Sequence, residues 1–515
     1  MNKTVWIAPL AALLLTACGG DDNNDSDAAA TLTAVRSLPV GDDTCAGGGQ
    51  VTETGVDRNG NGSLEATEVT TQEFQQCLTA PRLRALHASP DAPPVNISVN
   101  GTQALGNVDY AQGSGFLPVA TASHVQVEAI IPGGNAVVID ENLSLAYSTD
   151  YTVIAVGQVA APVGALVISN PTAPIAAGKA RAQVVHAAPG APPVDVYVTA
   201  PGASLAGSTA VNDSPLAYQQ FTGRAELPAG SYQIRVTLAG DASAVVFTSG
   251  TLNVVAGADL LFAAVPNTGP GPSPIQLVAL DGQRATTVLD AGTPASIVAV
   301  HASPDAPAVD LLADDQSTTG VESLALARNV AFPAACRISA VPAPGNYGVS
   351  VTAAGNPSVV ALQFDLAPRK ADVVTAIVTG YLGGTPAIQP LALATSERSV
   401  VTEARLRVTH ASPGTGPVDL YLLPDGASLA GATPSFAAVP FGADTGQLSI
   451  APGVYDVYVT PAGNPGVVAI EAQNLALTGG QVLDVIARDA KPNGSEGALP
   501  QLIVVDHATV TACAS

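Results

Sequence analysis

One string of about twenty residues returns four times along the chain, and any fold proposed for it has to be built in quadruplicate. It reads PRLRALHASPDAPPVNISV from Pro81, ARAQVVHAAPGAPPVDVYV from Ala180, ASIVAVHASPDAPAVDLLA from Ala295 and ARLRVTHASPGTGPVDLYL from Ala404. The equivalent histidines, His87, His186, His301 and His410, are 99, 115 and 109 residues apart. Each interval is the length of one small domain. Downstream matches keep the same order: LPAGSYQIRV from Leu227, PAPGNYGVSV from Pro342 and APGVYDVYV from Ala451 share Gly-x-Tyr ahead of an alternating run, while the first copy has TASHVQVEAI instead. Copies two and four share GASLAG, and copies one and three share HASPDAP, as duplication of a two-module unit would leave behind.

Each copy reads as strands. VDVYV and YQIRV alternate apolar and polar residues at period two, are rich in Val and Tyr, and are bounded by Pro and Gly turns. The chain's 50 Gly and 41 Pro would interrupt any long helix. About seven strand-like runs fit between successive histidines, which predicts an all-β protein of four tandem immunoglobulin-like antiparallel β-sandwich modules. They span 81–179, 180–292, 293–402 and 403–515, with linkers near 170–180, 282–294 and 396–403. A strand–HASPDAPxVD–strand signature repeated over about 430 residues resembles the bacterial domain of unknown function 4397, which implies tandem modules on an exported protein.

The recurrent histidine admits two readings. His87 with Asp91 and Asn96, or His301 with Asp305 and Asp310, could form a metal site or a base with its orienting acid. Against this, Gly190 and Gly414 replace the inner Asp in copies two and four, and a catalytic centre is rarely needed four times in one chain. A histidine at a strand end can instead hold the following Pro turn by bonding its backbone, and this turn-holding role is expected for His87, His186, His301 and His410. By the same logic Tyr232, Tyr347 and Tyr455 are expected in core or corner positions, and His124 and His507 on the surface.

The first eighteen residues, MNKTVWIAPLAALLLTAC, combine Lys3, a short apolar stretch and small residues, the pattern of an export signal over 1–17. Leu15-Thr16-Ala17-Cys18 resembles the lipobox of bacterial lipoproteins, implying acylation of Cys18 and attachment to a lipid bilayer. Gly19, where an Asp would favour inner-membrane retention, implies the outer membrane, facing the periplasm or the outside. Residues 18–30 have no core-forming side chains and read as an acidic flexible tether.

Between the tether and the first repeat, residues 31–80 read as a small disulfide-bounded module. DRNGNGSLEATE over 57–68 fills the EF-hand calcium pattern: Asp57, Asn59 and Asn61 at positions 1, 3 and 5, Gly62 at 6, Ser63 at 7, Glu65 at 9 and Glu68 at 12. A hard cation needs six or seven oxygens, and alternate side chains of a tight loop supply them. EATEVTTQEFQQC is expected to form the exit helix of a half-hand holding one structural calcium. This segment resembles small Cys-bounded modules with a GxDxNxNGxLxxxE loop near the N-terminus of bacterial surface lipoproteins. An even number of remaining cysteines in an exported chain reads as two disulfides: Cys45 pairs with Cys77 within the small module, and Cys336 and Cys513 either pair by elimination, fastening the C-terminal tail to the preceding module, or stay as two buried free thiols.

A net charge of −23 argues against nucleic acid as a partner. The chain lacks the GxSxG, HExxH, phosphate-loop and dinucleotide patterns. The sequence therefore predicts a non-enzymatic, lipid-anchored binding, adhesion or structural protein of the envelope with a protein or polysaccharide ligand. The alternative is a secreted metal-assisted hydrolase using the repeat-loop His and Asp residues.

Overall fold

The computed structural model describes residues 30–514 except 318–322, 493–494 and 498. Cys18, the signal and all of the tether but its last residue lie outside the described residues. Among the described residues there is no α-helix.

Residues Thr31–Leu38, Gly49–Val56 and Val69–Cys77 form a three-stranded antiparallel sheet. Each repeat then builds two facing sheets. In the first, Arg82–His87 sits between Thr149–Gln158 and Leu117–Pro118, with Ala161–Pro171 outside, and a second sheet runs Thr102–Val108, Val95–Val99, Ala122–Ile131, Gly134–Ser144. The third and fourth repeats copy this order strand for strand. The four β-sandwiches are therefore as expected, with eight strands in the first, third and fourth and one departure from antiparallel pairing. In every repeat the histidine strand runs parallel to the seventh: Arg82–His87 beside Thr149–Gln158, Lys179–His186 beside Asp259–Pro266, Ala295–His301 beside Val373–Thr379, and Ala404–His410 beside Val482–Arg488. Parallel neighbours need a long crossover connection, and the strands of the opposite sheet supply it.

The second repeat differs. Its histidine sheet gains Ala285–Val288, inside the stretch expected as a linker, and its other sheet has no strand on the outer side of Val194–Thr199, where only an isolated Val194–Leu216 bridge is found.

Each sandwich has its own core. Two further clusters cross between modules. Leu86, Ile154, Val156 and Ile168 of the first module pack against Val185, Leu261, Val265 and Leu280 of the second. Val298, Val300 and Ile377 of the third pack in the same way against Ile486, Ile503 and Val505 of the fourth. The modules thus stand in two face-to-face pairs, joined through the outer faces of their histidine sheets. A histidine strand is covered on both sides: Ala85 faces its own sandwich core while Leu86 faces the neighbouring module.

The expected linker 396–403 also packs. Nearly buried Arg398 donates to the carbonyls of Pro90 (3.1 Å) and Ala92 (2.8 Å), pairs with Asp109, and lies over the Tyr110 ring. The Val401 amide donates to the Asp91 carbonyl. The second pair is thereby latched to the Pro turn of the first module.

Candidate functional site

The four histidines end their strands in one geometry. Each Nε2 lies against the carbonyl oxygen six residues ahead: Pro93 (3.0 Å), Pro192 (3.2 Å), Pro307 (2.9 Å) and Gly416 (3.1 Å). Each Nδ1 accepts the amide two residues ahead, from Ser89, Ala188, Ser303 and Ser412, at 3.3–3.4 Å. A nitrogen that accepts an amide cannot carry a proton, and one facing a carbonyl must carry one, so the backbone selects the neutral Nε2–H tautomer. The residues are 1–3% exposed, and an aromatic edge closes each ring: Tyr110, Tyr218, Phe332 or Phe441. Burial holds all four imidazoles below the usual histidine range.

The acids named beside these histidines cap loops. Asp91 Oδ1 accepts the Val159 amide and Asp305 Oδ1 that of Leu382. Where Gly414 replaces that Asp, the carboxylate comes from across the turn, as Asp489 accepts the Gly414 amide, Ser412 Oγ and the Tyr381 hydroxyl. The later acid straps two bends. Asp310 accepts the amides of Asn329 (2.7 Å) and Gly355 (2.9 Å), and Asp419 those of Ala438 and Gly463 (2.8 Å each). Asn96 and Asp195 sit at the matching place, Asn96 accepting the Asn107 amide and Asp195 that of Gly240. Tyr232, Tyr347 and Tyr455 donate to the carbonyls of Pro228, Pro342 and Ala451, the corner role expected of them.

In the small module the calcium-type loop joins two strands. The exit helix expected over residues 65–77 is absent. Val69–Cys77 pairs antiparallel with Gly49–Val56 instead, because β-branched Val69, Thr70 and Thr71 open the segment and a ready strand edge lies opposite. Gly60 and Gly62, at φ +68° and +73°, take the left-handed bends of the loop. Asp57 accepts the amides of Gly60 (2.7 Å) and Gly62 (2.8 Å), Glu68 accepts that of Arg58 (2.9 Å), and the Asn59 and Asn61 amides both donate to Glu65. Glu65 beside it, then the Arg58 amide, hold the Glu68 carboxyl below its usual range. Asp57, Asn59, Asn61, Glu65 and Glu68 therefore share one turn, a hard-oxygen donor set of the kind calcium takes. In this arrangement their oxygens are bonded to the loop itself, and among the described residues no three His, Cys, Asp or Glu side chains form a metal cluster. Ser63 Oγ has no assigned role; its amide donates to Asn61 Oδ1.

Disulfides join Cys45 to Cys77 and Cys336 to Cys513. The second carries the C-terminal tail onto the third module, where Arg337 N donates to Thr511 O and Cys513 N to Arg337 O.

His507 is not on the surface, contrary to expectation. It is buried, with Nδ1 2.8 Å from Glu397 and Nε2 3.0 Å from Asp484. Thr375 of the third module donates to the same Asp484 oxygen (2.6 Å), and Arg337 pairs with Glu397 (2.6 Å). Burial alone would lower this imidazole, but its bonds to Asp484 and Glu397 outweigh that and raise it to about 9. A cavity of about 470 Å³ opens beside it, between modules two, three and four. His124 is a surface residue paired with Asp140.

Two stretches of the chain match one family. Residues 81–197 and 295–421 fit the model of a domain of unknown function, DUF4397, and residues 31–75 fit that of a second, DUF7151. Each DUF4397 match begins in the first member of a face-to-face pair and runs into the second, ending inside Val194–Thr199 and Val418–Pro424. No curated protein matches the chain.

Proposed function

We propose that this is a lipid-anchored envelope protein whose four sandwiches form a non-catalytic scaffold for binding or adhesion, with an N-terminal module stiffened by calcium. The observation that carries the reading is the closure of the four histidine turns. Both nitrogens of every repeated imidazole are spent on backbone groups in a buried setting, which supports a framework role for the signature. Two face-to-face pairs, latched by Arg398 and by a disulfide, favour a stiff body that presents several surfaces at once, and repeated weak contacts would gain avidity. Attachment through Cys18 at the outer membrane rests on the lipobox-like Leu15–Cys18 and the Gly after it.

For calcium, Asp57, Glu65 and Glu68 would supply the charge, with Asn59, Asn61 and the Ser63 carbonyl completing the oxygens. Bound calcium would tie the loop's carboxylates together and hold the hairpin closed. Three carboxylates suit binding in about the 10⁻⁴–10⁻³ M range. Calorimetric titration of the chain with calcium should give one site in that range, abolished in Glu68→Gln. The scaffold reading is tested by capture of envelope components on the immobilised chain with and without calcium, beside hydrolase assays on the same preparation. A hydrolytic activity lost in His301→Ala while the fold persists would replace it.

A further inference from the structure

We infer that the second module carries a carbohydrate subsite in the groove between residues 211 and 223, with Phe221 as its stacking platform. The inference deepens the binding role proposed above and rests on it.

In modules one, three and four the outer side of the strand bearing Asn96, Asp310 or Asp419 is covered by Thr102–Val108, Ser323–Val330 or Phe436–Val439. In the second module no strand takes that place. A loop crosses there instead, held by Asn212, whose Nδ2 donates to Val194 O, Asp195 Oδ1 and Ser214 O, and whose Oδ1 accepts the Val196 amide. The gap is a groove of about 430 Å³, walled by Val211, Asp213, Leu216, Gln219, Gln220 and Phe221.

Phe221 does not follow from the repeat. The residue bridged to the histidine strand at this point is Gly113, Ala335 or Asp444 in the other modules, opposite Leu86, Val300 and Thr409, and Phe221 opposite Val185. It is 42% exposed, more than any other Phe or Tyr among the described side chains. An aromatic left part-exposed where its counterparts are small or charged, and belonging to neither core cluster of its module, leaves apolar surface available. Exposed Val211 extends that face and buried Leu216 floors it.

Around it stand hydrogen-bonding groups without partners. The Asp213 carboxylate and the Gln219 side-chain amide, both exposed, bond to no described residue. A sugar ring has the matching chemistry: a C–H face that lies on an aromatic ring, and hydroxyls at its rim that seek carboxylate and amide groups. Asp213 and the chain's net charge of −23 disfavour an anionic ligand, so the sugar is neutral.

The test is affinity electrophoresis of the full chain through gels carrying a neutral glucan, a galactomannan or a xylan. The wild-type chain should be retarded by at least one of them. Phe221→Ala should weaken that retardation at least tenfold with an unchanged melting temperature, and Gln219→Gly, which suits the residue's φ of +67°, should weaken it severalfold. No retardation in any gel, or equal retardation of Phe221→Ala, would overturn the subsite. Loss in Phe221→Ala of an envelope protein captured by the wild type, rather than of polysaccharide, would place a protein in the groove and also overturn it. If the subsite fails while envelope capture persists, only the subsite is lost; failure of capture as well removes the binding role itself.

Discussion

Replacing His301 by alanine removes two bonds and a buried ring at once. Pro307 O loses its donor at 2.9 Å and Ser303 N its acceptor at 3.4 Å, in a site where the ring is 1% exposed. A buried polar group left unpaired costs about 1–3 kcal/mol, and the better-bonded Pro307 carbonyl should lie in the upper half of that range. The cavity against Phe332, whose ring centre is 5.8 Å from the imidazole, adds about 1–2 kcal/mol. The sum is about 3–5 kcal/mol for the pair of modules three and four. Urea unfolding followed by far-ultraviolet circular dichroism measures it, with hydrogen exchange locating the loss in Ala295–His301 and Val309–Asp315. Asp305→Ala, which removes a carboxylate that accepts the amide of Leu382 (2.9 Å) and, at a long 3.4 Å, the Ser303 hydroxyl on a more open surface, should cost about 1 kcal/mol. A midpoint for His301→Ala within about 0.5 kcal/mol of wild type would refute the turn-holding argument, since changes that small are typical of ordinary surface sites.

The pH dependence should have two limbs of opposite origin. The four turn histidines titrate lower in the fold than in the unfolded chain, so their contribution is complete above about pH 6.5 and is lost as pH falls from there through their depressed folded values; His507 titrates at about 9, so its contribution is complete below about pH 6.5 and lost as pH rises through about 9. His507→Gln should flatten the alkaline limb of a melting-temperature profile and leave the acid limb in place. Reducing Cys336–Cys513, which closes a separation of 177 residues, should destabilise the second pair by about 5 kcal/mol in the chain-entropy model, read as a drop in urea midpoint with dithiothreitol. Residues 81–292 expressed alone should be a soluble monomer by light scattering, whereas 81–179 should aggregate or dimerise, because Leu86, Ile154 and Ile168 would face water.

How much of this was legible in the chain depends on the range of the interaction. The histidine turn, the corner tyrosines and the small module's disulfide are local, with partners two to six residues ahead, four or five back, or 32 apart, and the residue string names them. The face-to-face pairing left a trace in the histidine strands, which do not alternate. IVAVHA and QVVHAA are apolar at nearly every position, as strands buried on both faces must be, whereas VDVYV alternates. The expected helix after Glu65 failed because propensity is weak beside a partner strand that can satisfy every amide. His507 read as a surface residue because nothing near it in sequence is an acid partner except Asp506. Its own partners lie 23 and 110 residues away.

The residues alone determined the number of modules, their strand character and the backbone role of the repeated histidine, since each depends on contacts within one repeat. Only the tertiary structure decided which faces meet, where Asp484 and Glu397 enclose an imidazole, and which module lacks a covering strand to leave Phe221 beside an open groove. Those outcomes depend on how separate sheets stack. A side chain's energy is set by what finally surrounds it, and in a repeating chain each neighbour was drawn from copies with almost the same local pattern.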